Sequence, residues 1–228
     1  MTAIPDRSPL PAALQPQCGR CAGWLAVLAL MLVCAWVLLA PPAAAAIDRA
    51  QLERIERYLN AITTVEARFV QSASTGEIAE GTLALARPGR LRLAYAPPSP
   101  ILVIADGTWL IYSDSALEQV SYLPLGSTPA SILLSDRIKL DGGDLSVTAA
   151  EADAGTVRIS LVRRKSPSEG TLTLVFADQP LALTQWQVTD AQGITTTVRL
   201  LDARFGGTLS DKLFRFDDPR FWEEKLRD

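Results

Sequence analysis

The sequence predicts a mainly β (α+β) protein, an antiparallel barrel or strongly curved sheet of about eleven short strands with a few short helices. Three observations lead there. Apolar and polar residues alternate with period two along most of the chain after Thr64. Turn signals recur between those runs, among them Thr75-Gly76, Pro88-Gly89, Asp106-Gly107, Gly155, Asp178-Gln179-Pro180 and Gln192-Gly193. Helical periodicity is confined to one stretch after Asp48 and a shorter one after Thr128.

The chain begins with a different kind of segment. Residues 24–40 carry no charge, follow Arg20, and are succeeded by Pro41-Pro42 and four alanines. A basic flank, an apolar run and a small-residue site predict a secretory signal peptide over 1–46, cleaved near 44–46. The competing reading is an uncleaved anchor, because the run reaches the lower end of the range for a spanning helix. The Pro-Pro breaker and the alanines favour cleavage. All three cysteines (Cys18, Cys21 and Cys34) lie in this leader, so the exported chain is expected to hold together by packing alone. Residues 47–228 are expected to form a single domain.

Asp48 and Gln51 have the spacing of a capping box, and Ile47 and Leu52 that of a hydrophobic staple. Leu52, Ile55, Leu59 and Ile62 then recur at helical spacing, opposite Arg49, Glu53, Arg54, Glu56 and Arg57. This predicts a surface helix of about four turns with one apolar stripe.

Strands are predicted over 65–72, 78–86, 90–95, 101–105, 108–112 and 118–123. After these, Thr128 as N-cap and Pro129 at the first helical position open a short, almost wholly apolar helix through Leu134. Strands resume over 145–151, 156–163, 170–177, 183–190 and 194–202, with a last short one at 213–216. Alternating strands bury one face each, and a sheet this wide can curl around a hollow that its own side chains do not fill. Two amphipathic helices laid across the hollow would cover it; an ordinary packed α+β core is the alternative that periodicity leaves open.

Composition narrows the function. The net charge of the chain is −3, which offers no electrostatic footprint for nucleic acid or anionic lipid. There is no histidine, the usual general base and commonest metal ligand. No G-x-S-x-G, P-loop, dinucleotide fingerprint or metal-ligand cluster is present, and Asp217-Asp218 reads as a C-terminal turn. The expectation is a non-enzymatic protein without metal or cofactor.

Several apolar residues stand out as candidates for a sheltered surface. Leu52, Ile55 and Leu59 belong to the helix stripe. Phe69, Leu91, Leu93, Trp109 and Tyr112 either line a hollow or pack the sheet. Ile132, Leu133 and Leu134 are too apolar for a free surface and require cover. The cluster Arg163-Arg164-Lys165 beside a turn reads as solvated.

The order of short motifs along the chain is distinctive. After the helix come F-V-Q at 69–71, G-x-L-x-L-x-R-P at 81–88, L-R-L-x-Y at 91–95, I-L-V at 101–103 and D-G at 106–107. E-Q-V at 118–120, T-P-x-x-x-L-L at 128–134 and F-R-F-D-D-P at 214–219 follow. In this order and spacing the chain resembles the periplasmic outer-membrane lipoprotein carrier family, LolA. The resemblance implies an unclosed β-barrel with short helices as a lid over an apolar cavity. It also implies a periplasmic carrier whose cargo is acylated lipoproteins, taken as a monomer from an inner-membrane ABC-type complex to an outer-membrane acceptor. The family's R-P arginine, which ties the closed lid to the barrel, falls on Arg87. Leu91 and Leu93 stand where the family often has aromatics, and the D-G hairpin is shifted by a residue, with Trp109 and Tyr112 as its aromatics. The rival readings are a lipid- or lipoprotein-binding sensor, or a general lipid carrier, of the same fold.

Overall fold

The computed structural model describes residues 45–140 and 142–218. The leader as far as residue 44, with its cysteines, Asp141 of the 141–144 turn, and Pro219 of the last motif lie outside the described residues. Strand β1 (Ala45–Ala46) and helix α1 (Arg49–Ala61) open the described chain. Six strands follow as a meander: β2 (Thr64–Ala73), β3 (Ile78–Ala86), β4 (Arg90–Tyr95), β5 (Ile101–Asp106), β6 (Trp109–Asp114) and β7 (Gln119–Pro124). A second meander contains β8 (Leu145–Asp153), β9 (Thr156–Arg163), β10 (Gly170–Asp178), β11 (Leu181–Asp190) and β12 (Thr195–Phe205).

All strands join one antiparallel sheet in the order β1-β8-β9-β10-β11-β12-β2-β3-β4-β5-β6-β7. The predicted eleven strands are therefore present, together with the two-residue β1 on the β8 edge. β7 and β1 stand at opposite ends of this order, so the barrel is unclosed. The topology also dictates where the lid runs. Residues 125–144 must carry the chain from the β7 edge to the β8 edge, and their apolar residues give them one favourable route, across the concave face. Irregularities in β8, β10 and β12 break the register at Val147/Ala149, Val175/Phe176 and Leu201/Arg204, devices that add local twist and bend.

Alternation assigns the faces. Val65, Ala67 and Phe69 of β2, Leu83 and Leu85 of β3, and Leu91 and Leu93 of β4 point to the concave side. Ile159 and Leu161, Leu172 and Leu174, and Trp186, Val198 and Leu200 continue that surface through the other meander. Ile55 and Leu59 of α1 press on it with no exposure, as do Ile132, Leu133, Leu134, Ile138 and Leu140 of the crossing segment at 5% or less. The hollow is thus filled by the lid's own side chains.

Two predicted elements differ. The segment after Thr128 is not an α-helix but a 3-10 turn, Pro129–Ile132, and a second 3-10 turn, Leu125–Ser127, precedes it. Thr128 stands at the N-cap position of the Pro129–Ile132 turn with Pro129 next, as expected, but its hydroxyl makes no cap bond and donates back to the Leu125 carbonyl at 3.0 Å. Three- and four-residue pieces, bounded by Pro124 and Pro129, leave no room for a nucleated α-helix. The predicted strand at 213–216 is a 3-10 turn, Asp211–Phe214, followed by irregular chain. β12 already has β11 and β2 as neighbours, so the chain leaving it finds no free edge. It crosses the convex face instead, where Phe214 is buried with the Arg90 guanidinium over its ring at 5.5 Å.

Candidate functional site

The site is the seam between the lid and the sheet beneath it. α1 begins as the sequence requires: Asp48 Oδ1 accepts the Gln51 N–H at 2.8 Å, satisfying one of the helix's free donors. Its lower face carries Ile55 and Leu59, with Leu52 half-buried beside them. Its flanks are tied to the β10–β11 turn. Arg54 donates to the Asp178 carboxylate at 2.7 Å and to the Asp178 carbonyl at 2.6 Å. The Tyr58 hydroxyl accepts the Leu183 N–H at 2.9 Å, and burial raises its pKa above the ordinary phenol value.

The crossing segment is fastened to α1 in turn. Asn60 brackets Ile138, donating from Nδ2 to its carbonyl at 2.8 Å and accepting its N–H on Oδ1 at 2.9 Å. Glu56 Oε2 accepts the Leu140 N–H at 2.7 Å. A side-chain amide here completes the backbone pairing that an irregular segment cannot make for itself.

Arg87 joins all three parts. Alternation after Leu83 and Leu85 brings it to the concave side, at the rim where β3 turns into β4. Its Nη1 donates to the Leu59 carbonyl in the last turn of α1 at 2.6 Å, and its Nε to the Leu133 carbonyl at 2.8 Å. The end of a helix presents carbonyls without partners and partial negative charge, which suits a guanidinium. Burial lowers the Arg87 pKa to about 10, so the group stays charged near neutral pH, and its Nη2 is buried without a hydrogen-bond partner. Next to it, Gly89 N–H donates to the Leu134 carbonyl at 2.8 Å. Only glycine fits there, because φ is +75° and a Cβ would stand 2.8 Å from the Gly107 Cα.

The other predicted residues fall in two groups. Phe69, Leu91, Leu93, Ile132, Leu133 and Leu134 meet in the apolar cluster under the lid, none more than 7% exposed. Phe69 packs edge-on to Tyr95 at 5.2 Å, and Tyr95 donates to Gln71 Oε1 at 2.6 Å; burial pushes the Tyr95 phenol up to about 12. Trp109 and Tyr112 stand apart, 41% and 37% exposed. Leu110 packs into the core, so alternation turns Trp109 to the convex face, edge-on to Tyr122 at 6.4 Å. Tyr112 shares the side of Leu110.

Sequence reasoning missed Asn60, Glu56 and Arg163. The last was read as part of a solvated basic cluster, yet its Nη2 donates to the Ser131 hydroxyl of the lid. Its signal lies in the alternation: Ile159, Leu161 and Arg163 are successive inward positions, as Leu83, Leu85 and Arg87 are.

The seam as a whole has a simple plan. It is an apolar floor under a two-part cover, and the cover is held at its margins by polar bonds. The sequence profile described as "Outer membrane lipoprotein carrier protein LolA" matches residues 60–217. An outer-membrane lipoprotein carrier protein of Legionella pneumophila (strain Paris) is 32% identical over 178 residues, covering 74% of this chain and 86% of its own. That of Halorhodospira halophila is 32% identical over 179 residues, covering 74% and 82%. Among solved structures, a LolA-superfamily protein of Nitrosomonas europaea aligns with a TM-score of 0.41 at 11% identity, covering 72% of this chain and 97% of its own. The chain belongs to the LolA family of outer membrane lipoprotein carrier proteins.

Proposed function

We propose that this protein is a periplasmic carrier that shelters the acyl chains of lipoproteins on its concave face. It would take them as a monomer from an inner-membrane ABC-type complex to an outer-membrane acceptor, without catalysing a reaction. The observation that carries this reading is the apolar floor covered by a separable lid and pinned by Arg87 to carbonyls of both lid parts. Family membership supports it.

Energetics favour such a design. Each buried methylene contributes about 0.8 kcal/mol, so one chain of about sixteen carbons gains roughly 12 kcal/mol. The lid's aliphatic side chains already cover the floor at about 1.5–3 kcal/mol each. Cargo therefore replaces one apolar cover with another, and the difference between loaded and empty states stays small enough for release. Arg87 contributes polar bonds that exist only when the lid is closed, and so biases that balance.

The test is a release assay on spheroplasts making labelled lipoproteins. The purified protein is expected to bring them into the supernatant as a soluble complex, and Arg87→Leu to do so poorly. Release no greater than with buffer would sink the carrier reading. Recovery of free lipids without lipoproteins would favour a general lipid carrier.

A further inference from the structure

We infer that Arg163 is a second latch, holding the lid through the Ser131 hydroxyl. The inference rests on the carrier reading for its purpose, while its geometry stands alone. Four strands lie between β9, which ends at Arg163, and β3, after which Arg87 follows. The two arginines therefore approach the lid from different parts of the wall. Each is the next inward position after two buried aliphatic residues: Leu83 and Leu85 before Arg87, Ile159 and Leu161 before Arg163.

Ser131 is suited to being held. It is 6% exposed, and its Oγ donates to the Thr128 carbonyl at 2.5 Å, which leaves its lone pairs for the Arg163 Nη2 donor. The Pro129–Ile132 turn that carries it packs over β10 and β11, beside β9. The Arg163 Nε is buried without a hydrogen-bond partner, as is the Nη2 of Arg87. In both, closure leaves one guanidinium nitrogen unmet, and opening returns it to water. Both latches thus hold and release at modest cost.

They differ in what they grip. Arg87 takes carbonyls from α1 and from the crossing segment, so it lets go entirely only when both parts shift. Arg163 takes a side-chain hydroxyl of the crossing segment alone. Meanwhile α1 stays docked through Arg54 to Asp178 and Tyr58 to Leu183. Release of Arg163 therefore loosens the 128–132 end of the segment first, over the β9–β11 floor, while Arg87 and Gly89 still hold Leu133 and Leu134 and the helix remains in place.

Amide hydrogen exchange on the purified, cargo-free protein tests this with Ser131→Ala, Arg163→Leu, their double variant and Arg87→Leu. Loss of one charge-assisted bond is expected to speed exchange at Ser131, Leu133 and Ser135 roughly tenfold in either single variant. The double variant is expected to be no faster than Ser131→Ala, since both changes remove the same Arg163–Ser131 bond and only Ser131→Ala also removes the bond to the Thr128 carbonyl. Amides of α1 stay at wild-type rates in these three, whereas Arg87→Leu speeds both regions, and Arg163→Lys falls between wild type and Arg163→Leu. Unchanged exchange in Ser131→Ala would overturn the inference, as would additive effects in the double variant or equal loosening of α1. Should Arg163→Leu fail to fold, Arg163→Lys decides, since it leaves the Ser131 bond to the Thr128 carbonyl in place: exchange at wild-type rates there would overturn the inference. Failure of the carrier reading shows elsewhere, as absent lipoprotein release with this exchange pattern intact.

Discussion

Arg87 donates from Nη1 to the main-chain carbonyl of Leu59 at 2.6 Å, bridging 28 positions of sequence to reach the last turn of α1. With its Nε on Leu133, the same side chain gathers helix, crossing segment and barrel rim at one point. Charge-assisted hydrogen bonds contribute about 1.5–3 kcal/mol each, yet a buried guanidinium with an unmet N–H returns much of that gain.

Arg87→Leu is therefore expected to separate stability from function. Thermal unfolding should lose no more than about 1–3 kcal/mol, because an apolar side chain suits the buried site while the Leu59 and Leu133 carbonyls lose a donor. Lid exchange and lipoprotein release should change severalfold. Calorimetry beside the release assay checks this, and a large drop in melting temperature with normal release would contradict it.

Asn60→Ala removes the bracket around Ile138 and leaves a buried N–H and carbonyl without partners. The expected loss is about 1–3 kcal/mol by denaturant unfolding. Asn60→Asp keeps the acceptor but sets a carboxylate oxygen against the Glu56 and Ile138 carbonyls, and should lose no less.

Gly89→Ala should be among the costlier changes at the rim. The left-handed backbone costs a residue with a Cβ about 1–2 kcal/mol, and the contact with Gly107 forces the two turns apart. The Gly89 bond to the Leu134 carbonyl is then lost, so exchange at the crossing segment should rise along with the fall in stability.

Tyr95 predicts alkaline behaviour. Burial raises its phenol from 10.0 to about 12, so the unfolded chain loses this proton before the folded one does. The stability involved is intact below pH 10 and is lost as pH rises through about 12. Absorbance titration of the phenolates should show a late step near pH 12, absent in Tyr95→Phe; a step near pH 10 in its place would refute the assignment.

Most of the sheet was legible in the sequence because alternation and turn chemistry are local. α1 was legible for the same reason, from the Asp48 cap and the spacing of Leu52, Ile55 and Leu59. What escaped depended on neighbours far along the chain. The 213–216 segment has strand-like residues but no free edge to join, a fact set by β12 pairing with β2. The side chosen by Trp109 follows from which face of β6 meets the core, and the D-G turn alone does not say. Arg163 looked solvated because two further basic residues follow it, although parity with Ile159 and Leu161 turns it inward. The partners of Asn60 and Glu56 lie 78 and 84 positions away, beyond any local pattern.

If acyl chains replace the lid on the concave face, photocrosslinking from inside that face captures them. A photoreactive residue in place of Val103, half-buried against the core, should crosslink to acylated lipoproteins, and one at Ile78, 77% exposed, should not. Equal labelling at both positions would rule out acyl chains on the concave face, as would crosslinks at Val103 that persist when the cargo cannot be acylated.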